Sequence, residues 1–138
     1  MDPDPRRWYE RWLFELWTTA DRGLAGELVT GDFVGHWPDQ KVHGPDELVA
    51  VIGQSLSFFS DVTTSIDVGP IVEGDLLAAR WSFRGGYEGG MPGATAPAGT
   101  PLVLRGADMM RLSGGKFAEY WVSSDAAQLA EQLGGYGN

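Results

Sequence analysis

Residues Leu102–Ser124 read LVLRGADMMRLSGGKFAEYWVSS and divide into two strands around a tight turn at Ser113-Gly114-Gly115. Paired glycines supply the positive φ that a two-residue hairpin turn demands, so the flanking runs are predicted to lie antiparallel. Along the first run, period-two alternation puts Leu102, Leu104, Gly106, Asp108, Met110 and Leu112 on one face. Val103, Arg105, Ala107, Met109 and Arg111 take the other. Asp108 therefore sits in the middle of the more apolar face. A carboxylate there must be paired, hydrogen-bonded, wetted by a cavity or shifted in pKa, because an isolated buried charge is very costly. Arg105 and Arg111 point away from it, which leaves Arg80 or Arg84 as the partner that would make Asp108 a mere tie between strands.

Working upstream, the same period continues. Leu77, Ala79, Trp81 and Phe83 share one face of a strand predicted from Leu76 to Tyr87, and Val62, Thr64, Ile66 and Val68 alternate before Gly69-Pro70. Between the strands, residues 85–101 are rich in Gly, Pro and Ala and are expected to form an irregular loop, a natural lid if it borders a cavity. The front of the chain has helical spacing instead. After a lead-in over residues 1–4, Trp8, Trp12, Leu16 and Thr19, widened by Tyr9, Leu13 and Trp17, predict an amphipathic helix from about Pro5 to Ala20. A short second helix is expected over Leu24–Val29, ended by Thr30-Gly31-Asp32. A short strand follows from Asp32 to Trp37. A third helix opens at His43-Gly44-Pro45-Asp46, its face formed by Leu48, Val49, Val51, Ile52, Leu56 and Phe59. Downstream, Asp125 and Gln128 suggest a capping box for a last helix, Ala126 to Leu133, closed by Gly134-Gly135. Helices in front and antiparallel strands behind give one α+β domain over residues 1–138, with three helices on one face of the sheet and a pocket between them.

Composition narrows the function. Ten Lys and Arg against nineteen Asp and Glu leave a net charge of −9, which argues against a nucleic-acid partner. No apolar run reaches the roughly 18 residues of a membrane span, and MDPDPRRW lacks the apolar core of a secretory signal, so a cytoplasmic protein is expected. With no cysteine and two histidines, His36 and His43, neither a metal nor another cofactor is expected.

The chain resembles the SnoaL-like polyketide cyclases of the nuclear transport factor two-like superfamily. The features that carry the resemblance are HWP at His36–Pro38, HGPDEL from His43, EGDLLAARWSF from Glu73 and GGYEGG at Gly85–Gly90. GADMMRLSGGKFAEYW at Gly106–Trp121 and QLG at Gln132–Gly134 complete it, over roughly residues 8 to 134. The resemblance implies a cone-shaped, barrel-like α+β fold with a curved mixed or antiparallel sheet, and a homodimer formed through that sheet. It also implies an intramolecular aldol closure of an apolar, aromatic polyketide ester, a lyase- or isomerase-like reaction. The family's acid–base aspartate stands in an Asp-x-x-Arg pattern followed by Gly-Lys and Glu-x-Trp, here Asp108, Arg111, Gly115-Lys116 and Glu119-Tyr120-Trp121, so the resemblance selects the acid that alternation singled out. Where many relatives read Gly-Thr-His-x-Gly, this chain has Gly85-Gly86-Tyr87-Glu88-Gly89, and Tyr87 replaces the histidine only as a neutral donor.

Substrate contacts are expected from His36, Tyr87, Trp12 and Trp121. His36 would be a donor at the pocket mouth, against the alternative of a satisfied structural histidine. Trp12, with Trp8 and Trp17, would stack on a flat ligand, although helical spacing suits core packing as well. Trp81, Phe83, Tyr120 and Trp121 divide between the cavity and a dimer interface. Other members of the superfamily supply the competing functions. Epoxide hydrolases need Arg-x-Asp on one strand, where this chain has Arg80-Trp81-Ser82, and ketosteroid isomerases pair their base with a second acid and a tyrosine. A non-catalytic ligand-binding or dimerisation module is the remaining alternative, and the surroundings of Asp108 discriminate it. A salt bridge in a filled interior favours the module, and an open pocket of several hundred Å³ favours an enzyme.

Overall fold

A computed structural model of the chain describes residues 4–134; the first three residues of the expected lead-in, and Gly135, lie outside the described residues. The first helix, α1, covers residues 5–19. It opens as an α-helix, Pro5–Arg11, with the Asp4 carboxylate accepting from the Arg6 N–H at 3.1 Å, widens into a π-helical turn, Trp12–Leu16, and finishes as Trp17–Thr19. Ala20, at φ 55°, ends it in the left-handed region. The π turn is absent from the sequence pattern. It frees the Leu13 carbonyl to accept from Thr64 Oγ1 at 2.8 Å.

Helix α2, Arg22–Leu28, is capped by Asp21, whose carboxylate accepts from the Leu24 N–H at 2.9 Å. Strand β1, Val29–His36, then starts three residues before the expected Asp32, and Thr30-Gly31-Asp32 lies inside it. Those residues read as a break because turn-forming types override period over so short a span. Lys41–His43 forms β2, an unpredicted three-residue strand paired antiparallel with β1. Helix α3, Gly44–Leu56, buries Leu48 and Ile52 only, so it is less enclosed than its apolar count implies. Phe59 belongs instead to β3, Phe59–Glu73, which runs through the cis Gly69-Pro70 bond with shifts of register rather than stopping there. Strand β4, Leu76–Tyr87, matches its prediction and retains Gly85, Gly86 and Tyr87, which shortens the irregular loop to residues 88–100. Strands β5, Pro101–Ser113, and β6, Lys116–Ser124, flank Gly114 and Gly115 at φ 59° and 82°, the expected hairpin. Asp125 precedes α4, Ala126–Gln132, but makes no side-chain cap; its carbonyl accepts from the Gln128 N–H at 3.1 Å instead.

The six strands form one open, curved sheet in the order β2-β1-β6-β5-β4-β3, antiparallel except for the parallel pair β1 and β6. With four helices among the described residues, the fold is the expected mixed α+β layout. The core lies between α1, α3 and the concave face. Tyr9, Trp12, Leu13 and Leu16 of α1 meet Phe33, Leu77, Met110, Phe117 and Tyr120 of the sheet, all buried. Burial of side chains this large is the main stabilising term, at about 1.5–3 kcal/mol each.

One irregularity decides which residues reach that face. Leu112 pairs with Phe117 but Arg111 pairs with Glu119, so Ala118 is an extra residue in β6. Beyond the bulge, Tyr120 faces inward opposite Met110, Val122 stands opposite Asp108, and Trp121 turns outward opposite Met109.

Candidate active site

Between the helices and the sheet lies a cavity of about 330 Å³. Its wall is largely aromatic, with Trp17 from α1, Trp37 after β1, Phe58 after α3, Trp81 and Phe83 from β4 and Tyr120 from β6. The π turn contributes directly, because both Leu13 inside it and Trp17 just beyond it border the cavity. Beyond the polar atoms of these aromatic side chains, the lining carries Asp39, Gln40, Gln54, Ser55, Ser124 and Asp108.

Asp108 is 3% exposed and has no ion-pair partner among the described residues. Arg80 and Arg84 project from the opposite face of β4, so the tie between strands does not form. Three neutral donors hold the carboxylate instead. Oδ1 accepts from Trp81 Nε1 at 2.8 Å and from the Tyr120 hydroxyl at 2.8 Å, while Oδ2 accepts from the Tyr9 hydroxyl at 2.8 Å. Burial pushes the carboxyl up to about 6, against the downward pull of the Tyr120, Tyr9 and Trp81 hydrogen bonds. Burial and the Asp108 charge push both tyrosines the other way from ionisation, well above the usual phenol range. The arrangement is a carboxyl whose hold on its proton is strengthened by burial, beside two phenols that stay protonated.

The other expected site residues are not brought to this point. Trp12 is wholly buried behind the wall, packed on Tyr120 at 5.0 Å between ring centres, and its Nε1 has no partner among the described residues. Helical spacing made it core, as its position one turn below Leu16 requires. Tyr87 is buried away from the cavity in a small cluster with Leu102 and Leu133, where its hydroxyl accepts from the Met91 N–H at 2.9 Å and shapes the 88–100 loop. His36 and Trp121 stand on the outer face, adjacent in the parallel register, with rings stacked at 5.5 Å. His36 Nε2 lies 2.7 Å from Glu119 Oε2, and Arg111 holds the other oxygen of Glu119 at 3.2 Å. Those two partners keep the Glu119 carboxyl below its usual range. Trp121 borders a second, shallow hollow on that outer face, with Val68, Ile71 and Met109.

The sequence pattern places Tyr9 only in a helical stripe, and nothing in its spacing marks it as a partner of Asp108. Trp81 was recoverable, since alternation places it on the same inward face as Ala79, which pairs with Asp108 across β4 and β5. Among the described residues, no group of three His, Asp or Glu side chains is gathered as a metal site would need.

An open curved sheet enclosing an apolar cavity with one buried acid defines a class of small-molecule-binding α+β domain. The chain belongs to the SnoaL-like polyketide cyclase family, whose model matches residues 8–133. Among solved structures it is similar to TsrD from Streptomyces laurentii, at 25% identity and a TM-score of 0.80, covering 95% of each chain. It is also similar to wild-type IdmH, a candidate polyketide cyclase from Streptomyces antibioticus, at 25% identity and a TM-score of 0.81, covering 96% of this chain and 99% of that one. A candidate SnoaL-like polyketide cyclase from Jannaschia sp. CCS1, at 19% identity, shares the fold with a TM-score of 0.79 over 96% of each chain. None of the curated proteins compared with the chain matches it. Among the described residues, no helix is long and apolar enough to cross a membrane.

Proposed function

We propose that this protein is a cytoplasmic polyketide cyclase that closes a ring by intramolecular aldol condensation, with Asp108 as general base and then general acid. The observation that carries the proposal is a buried carboxylate at the wall of an open aromatic cavity, held by neutral donors and paired with no cation among the described residues. A methylene flanked by carbonyls is acidic enough for a carboxylate to take its proton, and the conjugated substrate spreads the enolate charge. The enolate carbon attacks a second carbonyl of the same molecule, the new carbon–carbon bond forms, and the proton held by Asp108 returns to the resulting alkoxide. A carboxyl near 6 suits both halves of this exchange, because it is ionised at neutral pH yet basic enough to accept. The wall offers flat apolar surface for an aromatic polyketide, and the polar rim offers donors and acceptors for its oxygens.

The test is Asp108→Asn assayed for cyclisation of aromatic polyketide esters. General acid–base catalysis of this kind is worth roughly 10²–10⁴-fold, so turnover should fall by that factor with the fold intact. Undiminished turnover in a folded variant would sink the proposal.

We propose further that two copies pair through the outer face of the sheet, where Val68, Ile71, Met109 and Trp121 are 52%, 63%, 48% and 36% exposed. Apolar side chains gathered this way on one face are what a partner covers.

A further inference from the structure

We infer that Tyr9, which does not border the cavity, is a positioning residue: from α1 it anchors Oδ2 of the Asp108 carboxylate while Trp81 and Tyr120 hold Oδ1, so the acid is fixed for proton transfer by a side chain that the substrate does not touch. The inference rests on the acid–base role proposed above and adds what holds the acid from behind the cavity wall. A carboxylate offers about four acceptor sites, two on each oxygen. Trp81 and Tyr120 fill both on Oδ1, and Tyr9 fills one on Oδ2. The donors come from β4, β6 and α1, so the carboxyl plane is fixed from three elements at once.

Tyr9 is wholly buried, so its hydroxyl has no water to exchange with, and the carboxylate is its hydrogen-bond acceptor. The groups that face Asp108 across the sheet are apolar, Ala79 from β4 and Val122 from β6. Arg80 of β4, paired with Ala107, and Arg111 of β5, paired with Leu76, project from the outer face, where Arg111 is engaged by Glu119. Tyr9 and Tyr120 are therefore the titratable side chains in contact with the acid, and both act as neutral donors. Each donor stabilises the ionised form, so Tyr9 offsets part of the effect of burial and keeps the base usable at neutral pH.

The experiment follows the Asp108 carboxyl itself, by ¹³C NMR titration of protein labelled at aspartate Cγ, with the resonance assigned by its loss in Asp108→Asn. Tyr9→Phe keeps the ring and removes the donor, and the Asp108 pKa should rise by about 1–2 units, the worth of one hydrogen bond to a charged group. A site-specific 3,5-difluorotyrosine at position 9 keeps the shape and strengthens the donor, and it should shift the pKa downward. Opposite shifts are a signature that a packing role would not produce. A pKa within about 0.3 units of the wild type in both folded variants, or equal shifts of one sign, overturns the inference. Because the carboxyl is observed directly, this result is independent of turnover. If cyclisation instead survives in Asp108→Asn, the proposed function falls while the titration still reports on Tyr9.

Discussion

Placing a carboxyl at the cavity wall should leave a measurable mark on stability. The perturbation is pH, applied to the wild type and to Asp108→Asn in parallel. Burial raises the carboxyl from 3.8 to about 6 in the folded state, a shift of roughly two units. At 1.36 kcal/mol per unit this comes to about 3 kcal/mol. The sign follows from proton counting. Between pH 4 and 6 the folded protein holds a proton on Asp108 that the unfolded chain has released, so stability is present in acid and is lost as pH rises toward 6. Glu119 works in the opposite direction, since its folded carboxyl is depressed and contributes only above that depressed range. Asp108→Asn retains the Glu119 contribution and removes the Asp108 one, so the difference between the two proteins isolates the buried acid. Urea unfolding at pH 4, 5, 6 and 7 is the assay. The advantage of the Asn variant should grow by about 2–3 kcal/mol across the series, with roughly half of it in place by pH 5, and level off above pH 6. A difference that stays flat from pH 4 to 7 would refute the reasoning, because it would mean that the ionised carboxylate is solvated as well in the folded protein as in the unfolded chain.

Three other outcomes follow from the same geometry. Gly106→Ala would put a Cβ 2.5 Å from the Ser123 carbonyl oxygen and 2.5 Å from the Trp81 ring, so it should cost about 1–3 kcal/mol in thermal or urea unfolding and loosen the Trp81 bond to Asp108. Gln132 donates to the Val103 carbonyl at 2.9 Å and accepts from its N–H at 2.7 Å, and Gln132→Ala should cost about 1–2 kcal/mol and speed amide exchange in α4 before the rest of the chain. Trp121→Glu should shift sedimentation to the monomer if the outer face joins two copies, in a variant that circular dichroism shows to be folded.

The parts of the fold that were legible in the sequence are those where one period runs long enough to speak for itself. β4 and β5 carry unbroken alternation, and the Gly114-Gly115 turn fixes their neighbour, so the inward position of Asp108 could be read without a structure. β2 has three residues and no period to detect, and the start of β1 is hidden by turn-forming residues that the sheet overrides. The site failed to show for a sharper reason. Counting back from the turn without the extra residue Ala118 places Trp121 opposite Asp108 and Tyr120 on the outside, and the bulge exchanges them. Tyr9 escaped because its meeting with Asp108 joins residues 99 apart in the chain, a closeness that only packing creates.

The π turn in α1 gives that helix two independently indexed halves. The half before it aims Tyr9 at Asp108, and the half after it aims Trp17 at the cavity. An α-helix advances about 100° per residue, and the π turn Trp12–Leu16 already takes up one residue beyond regular winding, so inserting a further residue between Tyr9 and Trp17 would turn one half by about that angle against the other. Either the anchor of the acid or part of the aromatic wall would swing out of place. The helix should therefore accept changes of side chain along its exposed face more readily than a change of one in its length, and its phase is as much a part of the site as any residue on it.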